Sequence, residues 1–302
     1  MRLIIFILLC SLSVKGQIIT ASAPYRITAS APYEYILDSY TTAAGAWSLR
    51  KLKSDYSGNC IKVRRSSDNT EQDIGFVNNE IDTASLKSFV GSNNGFVTTW
   101  YDQSGNGYNL SQTTSTNQPA IIESGVVYRQ FSKVSVKFTS SSSHYLTNTS
   151  ISASSVANAY VYQVYKSNSA VNNYPAFGMG SNALIFLHGT TPNKMHAYAG
   201  NINGDFSNSS TSLHLSEMIY NGGGASNADR LKYYMNSTGL TAGSYSGTVP
   251  TTITGTGLSI ARLYAVGIYF DGAVSELVLW FNDKSGSRTG IESNVNTYYT
   301  IY

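Results

Sequence analysis

Cysteine is almost absent from this chain: its 302 residues include two, Cys10 and Cys60. Cys10 lies inside an apolar N-terminal run, so removal of that run leaves Cys60 with no intrachain partner. A disulfide framework is then excluded, and core burial has to hold the fold together. Charge is also scarce. Asp, Glu, Lys and Arg make up 12% of the residues, where a soluble domain usually has about 25%. The net charge is +3, and the basic groups Arg50-Lys51-Lys53 and Lys62-Arg64-Arg65 have acids close by. That pattern reads as a solvated face, and no nucleic-acid partner is expected. After the first residues no apolar run is long enough to cross a bilayer. No P-loop, dinucleotide fingerprint or Ser-His-Asp arrangement is present. His144, His188, His196 and His214 show no close pairing and read as scattered polar strand residues.

Hydroxyl-bearing, amide and glycine residues fill the space, with 23 Tyr among them. This is the composition of a β-protein working outside the cytoplasm. Arg2 followed by the apolar run from Leu3 to Leu12, then Ser13-Val14-Lys15-Gly16, reads as a secretory signal over residues 1–16. Cys10 follows Leu9 and not a small residue, which argues against a lipid anchor. A local duplication follows. Ile19-Thr20-Ala21-Ser22-Ala23-Pro24-Tyr25 returns as Ile27-Thr28-Ala29-Ser30-Ala31-Pro32-Tyr33. Residues 17–34 therefore read as an extended arm, suited to clamping a neighbouring copy or a virion assembly. The remainder, 35–302, is long enough for one large β domain.

Within that domain the periodicity predicts a helical turn or two over 43–53, from Ala46, Leu49 and Leu52. It predicts a strand at Cys60–Arg65 and a short helix over 82–90 started by Asp82 or Thr83. A further strand over 96–101 should place Val97, Thr99 and Tyr101 on one face and Phe96, Thr98 and Trp100 on the other. From about Ala120 onward short strands alternate with Gly, Asn and Ser turns: 134–138, 159–165, 183–187, 194–199, 212–220, 231–235, 258–260 and 273–281. These argue for a sandwich. A terminal amphipathic helix begins near Ser287, with Ile291, Val295 and Tyr298 or Tyr299 on its stripe.

Two sets of motifs carry a resemblance. Gly45-Ala46-Trp47-Ser48-Leu49-Arg50, Val63-Arg64-Arg65-Ser66-Ser67-Asp68, Asp73-Ile74-Gly75 and Trp100-Tyr101-Asp102-Gln103-Ser104-Gly105-Asn106-Gly107 resemble the N-terminal third of the catalytic domain of the fungal-type α-L-arabinofuranosidase B family, over about 43–113. Val136-Lys137-Phe138, His144-Tyr145-Leu146 and Phe270-Asp271-Gly272-Ala273-Val274-Ser275-Glu276-Leu277 resemble a concanavalin A-like, laminin G-type domain. Together they imply an all-β fold, a concanavalin A-like jelly-roll β-sandwich with a few short helices and a short C-terminal helix. The arabinofuranosidase B-like part would cover 35–119 and the laminin G-like part 120–302. The combination is also similar to phage and bacterial surface structural proteins.

The resemblance implies a retaining glycoside hydrolase, which needs two carboxylates about 5–5.5 Å apart. The family's nucleophile lies in an Asp-x-Glu-Asn-Asn strand, and the segment in that place here, Tyr198-Ala199-Gly200-Asn201-Ile202, has no acid. The family's acid follows a Gly-Gly pair, where this chain runs from Leu258-Ser259-Ile260 into Ala261-Arg262-Leu263. The family's adjacent cysteine pair is missing. The replacement carboxylates are Asp271, Glu276 and Asp205, with Glu217 as a further acid that nothing pairs. Asp271 and Glu276 are five residues apart, so a regular strand puts them on opposite faces. Stacking tyrosines and amide or carboxylate partners for sugar hydroxyls are offered by Tyr174, Tyr198, Asn201, Asn203 and Asp205.

Asp102, Ser104 and Asn106 before Gly107 begin in the manner of a calcium loop. Position twelve is Thr113, not Glu, and an Asx-type turn explains them more simply. No cofactor is therefore expected, with Ca2+ at those three residues as the alternative. With the acid positions vacant, the expected function is a non-catalytic surface-displayed or virion attachment protein. Its jelly-roll module would bind a cell-surface glycan or receptor. The alternatives are a secreted α-L-arabinofuranosidase and a purely structural capsid or spike subunit.

Overall fold

The computed structural model describes residues 34–169, 175–188, 194–207, 210–264 and 267–302. The proposed signal and all of the proposed arm except Glu34 lie outside the described residues. Tyr35–Tyr302 forms one unit, built around the strand Gly272–Trp280, whose nine residues are all buried. Leu277 and Leu279 face one core while Val278 and Trp280 face another. A strand of period two can serve both only if each face is covered.

On one side this strand pairs antiparallel with Asn158–Ser167, followed by Leu213–Asn221 and Leu231–Met235. On the other, Gly45–Ser48 and Val136–Phe138 lie end to end against it. These strands form the back sheet. A front sheet runs in the order Leu146–Val156, Ile253–Ile260, Pro175–Met179, Leu184–His188, Lys194–Ala199, Ile202–Ser207 and Ala242–Tyr245. Gly95–Trp100, Leu110–Ser111 and Ala120–Glu123 tie the two together, since Ser111 pairs with Thr147 and Ala120 with Lys137. The result is the all-β sandwich expected.

The main core fills the space between the sheets. A second core lies on the outer face of the back sheet, under the helices Ile36–Ser39 and Arg288–Tyr299. Ile291, Val295 and Tyr299 form the buried stripe of the terminal helix, as the sequence pattern predicts. Trp47, Trp100 and Trp280 are fully buried. Each indole N–H still finds a carbonyl: Tyr108 O, Ser48 O, and Tyr40 O with Thr41 O, respectively. Cys60 is buried and free, and burial pushes its thiol well above the usual range.

Three local expectations are corrected. The stretch 43–53 is not helical: Gly45–Ser48 is a strand registered against Glu276–Leu279. Ala46, Leu49 and Leu52 are buried as the spacing suggested, but Leu49 packs into the main core while Ala46 and Leu52 pack into the second one. In Gly95–Trp100, Val97 and Trp100 both enter the main core. A register shift opposite Lys62 and Val63 breaks the two-residue alternation there. Arg50, placed on a solvated face by sequence, is 1% exposed.

The Asp-Gln-Ser-Gly-Asn-Gly turn is a scaffold device. The Asp102 carboxylate accepts from the Ala46, Ser104 and Tyr108 N–H groups and from Ser104 Oγ. Gln103 donates to Ser48 O and Arg50 O and accepts from Leu52 N–H. Gly105 and Gly107 adopt φ of 92° and 75°, which favours glycine. The turn thus holds the Gly45–Leu52 segment in place, and with it the side chain of Arg50.

Two buried ionic networks lie on the second-core side. Arg50 makes a bidentate pair with Glu276 at 2.7 and 2.8 Å, and Ser48, Tyr162 and Tyr299 donate to the same carboxylate. Burial pushes the Glu276 carboxyl up, but the Arg50 charge and these donors together hold it below its usual range. In the other network Glu217 accepts from Tyr160 Oη, and Arg288 pairs with Glu292 and approaches Glu217. Burial, and then the hydrogen bond shared with Glu292, push the Glu217 pKa up to about 9.

Folded Glu217 therefore keeps its proton to higher pH than the unfolded chain does, and its contribution to stability falls as pH rises through that interval. Glu217→Gln copies the protonated shape. Thermal melts from about pH 5 to about pH 9 are expected to show the variant gaining on the parent steadily as pH rises. A constant difference across the series would contradict the shared proton.

Candidate functional site

The outer face of the front sheet is where polar side chains converge. Along Lys194–Ala199, Met195, Ala197 and Ala199 are buried in the core. Lys194, His196 and Tyr198 consequently point outward. Along Ile202–Ser207 the core takes Phe206, leaving Asn203 and Asp205 outward. Register places His196 opposite Asp205, Tyr198 opposite Asn203, and Ser244 opposite Asp205 on its far side.

Asp205 is the centre of this group, with its side chain 19% exposed. One oxygen accepts from His196 Nε2 at 3.0 Å and Asn203 Nδ2 at 2.8 Å. The other accepts from Ser244 Oγ at 3.1 Å, and the Lys194 ammonium lies 3.5 Å away. Burial holds the His196 imidazole below its ordinary range against the pull of Asp205. At neutral pH the donor is thus a neutral Nε2–H, which orients the carboxylate without cancelling its charge. The Tyr198 hydroxyl is pushed up by burial and then by the Asp205 charge. It remains a phenol and a hydrogen-bond donor at neutral pH.

Beyond Tyr198 the face continues across Ile185, Gly178 and Ser259, which are successive cross-strand partners. The chain after Ile253–Ile260 then folds back over it. A Cβ on Gly178 would come within 3.2 Å of Arg262 O and 3.3 Å of Tyr264 N. The segment 262–264 therefore lies over Gly178, on the same outer face that carries Tyr198, His196 and Asp205 further along.

The structure separates the residues that the sequence nominated. Tyr198, Asn203 and Asp205 come together. Asn201 occupies the adjacent hairpin turn at φ 68° and accepts from Asn182. Tyr174 lies outside the described residues. Glu276 is 0% exposed, and Arg50 saturates it on the back sheet, so burial removes it from contact with any substrate. Asp271 precedes Gly272–Trp280 and binds the Asn168 amide at 2.8 Å, well apart from the Asp205 group in the fold. Glu217 is buried beneath the terminal helix. Asp102, Ser104 and Asn106 belong to the turn described above. The Asp102 oxygens there are filled by N–H and O–H donors, an arrangement that does not fit a cation. Among the described residues no three His, Cys, Asp or Glu side chains cluster to hold a metal. A polar cavity of about 610 Å3, lined in part by Asn94, Phe96, Asn117, Glu123 and His144, contains none of the nominated residues. Sequence reading missed His196 as a site residue. The signal was its place two residues before Tyr198 on an alternating strand, which fixes a common face.

The profile described as "Alpha-L-arabinofuranosidase B, catalytic" matches residues 36–197, more than half of the chain. The chain belongs to this family. The fold agrees with it. A glycoside hydrolase family 54 α-L-arabinofuranosidase variant soaked with 4-nitrophenyl α-L-arabinofuranoside superposes with a TM-score of 0.61 at 14% identity, covering 86% of this chain and 64% of that one. A second structure of a family 54 α-L-arabinofuranosidase, soaked with a cyclic sulfate inhibitor, gives 0.59 at 15% identity and the same coverages. An arabinofuranosidase complexed with arabinofuranosyl-α-1,2-xylobiose gives 0.56 at 14%. The chain thus spans 64% of the length of these structures, less than two thirds. No curated protein matches it.

Membership corrects the expectation of a non-catalytic display or attachment protein. That expectation rested on vacant acid positions in one alignment of short motifs, whereas the match extends over the whole of 36–197 and is to a catalytic domain. The Tyr-Asp-Gln-Ser-Gly-Asn-Gly run that carried the resemblance is the scaffold turn and does not belong to the outer face of the front sheet.

Proposed function

We propose that this protein is a secreted α-L-arabinofuranosidase whose site is the outer face of the front sheet, with Asp205 as the group that meets the anomeric carbon. One observation carries this reading. In a chain of the arabinofuranosidase B catalytic family, Asp205 is a partly exposed carboxylate on that face, oriented by His196, Asn203 and Ser244. The aromatic face and hydroxyl of Tyr198 flank it, suited to a sugar ring.

The chemistry follows from the groups present. An oxygen of the Asp205 carboxylate forms a bond to C1 as the bond from C1 to the leaving oxygen breaks. The Tyr198 hydroxyl or a water supplies the proton to that oxygen; a second water then adds its hydroxyl to C1 and returns its proton to the phenolate or hydroxide left behind, which releases arabinose and regenerates the carboxylate. A carboxylic acid with a raised pKa, the usual proton donor in this reaction class, does not accompany Asp205 among the described outward side chains of Lys194–Ala199 and Ile202–Ser207. A phenol is a poorer acid, so substrates that need little protonation of the leaving group should be strongly preferred.

Turnover of 4-nitrophenyl α-L-arabinofuranoside is therefore expected, with kcat on an alkyl-linked arabino-oligosaccharide lower by about 10²-fold or more. The two rates are read from released nitrophenol and from released arabinose. Absence of turnover on the aryl substrate would refute the reading. Equal rates on both would show that a stronger acid serves the site.

A further inference from the structure

The segment that returns over the outer face after Ile260 holds a cation whose hydrogen-bonding capacity is almost unused. Ala261, at φ 63°, turns the chain out of Ile253–Ile260, and Arg262 then bridges to Tyr269. The Arg262 guanidinium stacks on the Tyr145 ring at 3.8 Å. Tyr145 itself lies 6.1 Å from the Tyr269 ring at a 35° tilt. The Tyr145 ring, itself backed by Tyr269, thus fixes the plane of the guanidinium and shields one side of it from water.

Of its five N–H donors, one reaches Ser259 Oγ at 3.5 Å. The Nε–H is buried with no partner. Among the described residues no carboxylate lies within ion-pair distance of Arg262. Elsewhere the arginines of this domain are engaged: Arg50 with Glu276, Arg65 with Asp68, and Arg288 with Glu292. A buried donor without an acceptor is costly, and a flat guanidinium fork matches a carboxylate in two parallel bonds.

We infer that Arg262, with Tyr145 and Ser259, forms a subsite for the carboxylate of a uronic acid residue in the saccharide that bears the arabinofuranosyl group. This rests on the reading of this face as a glycoside hydrolase site. The placement is compatible with one chain of sugars. Ser259, which the guanidinium reaches, is four strands from the strand of Asp205, or about 19 Å at the usual spacing. That is the reach of a short oligosaccharide, so the uronate occupies a position removed from the bond that is cut. Tyr145 and Tyr269 add aromatic surface for the uronate's own ring.

The test compares two ligands on the full chain by calorimetry at fixed salt. One is an arabinofuranosyl oligosaccharide carrying a single uronic acid, and the other is the same molecule with that carboxyl reduced to the alcohol. The protein should bind the acidic form at least about ten-fold more tightly. Arg262→Met should abolish the preference. Arg262→Lys keeps the charge and most of the stem but loses the fork, and should retain only a small part of it. Thermal melts of both variants verify that they are folded. No preference in the parent, or a preference that survives in Arg262→Met, overturns the inference. Displacement of the acidic ligand by inorganic phosphate at equal concentration would also overturn it, since the subsite would then serve a free anion. Turnover of 4-nitrophenyl α-L-arabinofuranoside, which has no carboxylate, reports separately on the catalytic reading. Its failure beside an Arg262-dependent preference would remove the enzyme and leave the subsite.

Discussion

Asp205→Asn is expected to lower kcat on 4-nitrophenyl α-L-arabinofuranoside by about 10²–10⁴-fold, the range associated with loss of a positioned acid, base or nucleophile. The substitution keeps the shape of the side chain and leaves one oxygen to accept from His196 and Asn203. What it removes is the negative charge that bonds to, or stabilises, the anomeric carbon. The side chain is partly exposed and its partners are polar strand neighbours, so stability should change by only about 0.5 kcal/mol. KM should move little, because the hydroxyl contacts of Asn203 and the face of Tyr198 remain. A variant that is folded, binds substrate and has lost turnover is the outcome that fits. A variant with the parent's kcat would locate the chemistry elsewhere, and the assignment of Asp205 would fall.

Arg50→Met is expected to be the most destabilising single change, at about 3–5 kcal/mol. The reason lies with its partner. Glu276 is 0% exposed and would remain ionised or be forced to take up a proton, with Ser48, Tyr162 and Tyr299 still arranged as donors. The lost stacking of Arg50 on Tyr298, at 4.7 Å, adds to the cost. Glu276→Gln in the Arg50→Met background should recover a substantial part of the loss by removing the unpaired charge. Denaturant unfolding of both single variants and the double variant gives the coupling directly. Additive losses would mean that the pair does not act as a unit. Activity at the Asp205 face should survive in the folded fraction, because the pair lies on the opposite side of the sandwich.

The same pair shows what physical information a linear reading carries. Glu276 was recognisable as a carboxylate on the other face from Leu277 and Leu279, since a strand alternates. That the other face is also buried was not recognisable. It depends on the helices Ile36–Ser39 and Arg288–Tyr299, from the two ends of the domain, packing over Val278 and Trp280. Exposure was assumed for Arg50 for the same reason: its neighbours Lys51 and Lys53 are solvent-facing by composition, and its partner is 226 residues away.

What the sequence by itself determined is whatever depends on short-range periodicity and composition. The all-β class follows from regular alternation between polar turns. The terminal helix follows from Ile291, Val295 and Tyr299, and the helix Thr83–Val90 from its Asp82 cap, whose carboxylate accepts from Ala84 and Ser85 N–H. The common face of Tyr198, Asn203 and Asp205 was within reach for the same reason. The tertiary structure alone decided the rest. Register across Lys194–Ala199 and Ile202–Ser207 brought His196 to Asp205. The return of the chain after Ile260 set Arg262 on Tyr145. A register shift sent Val97 and Trp100 into one core against their alternation. The His196–Asp205 pairing spans a two-residue turn, but the Arg262–Tyr145 contact and the register shift join segments far apart in sequence, so local pattern holds no record of those two. The family's scaffold turn was the most legible feature of the chain because all of its hydrogen-bond donors are specified within a few residues or by one adjoining strand. The face proposed as the site was less legible because Tyr145, Ser259 and Arg262 reach it from segments remote in sequence from Asp205.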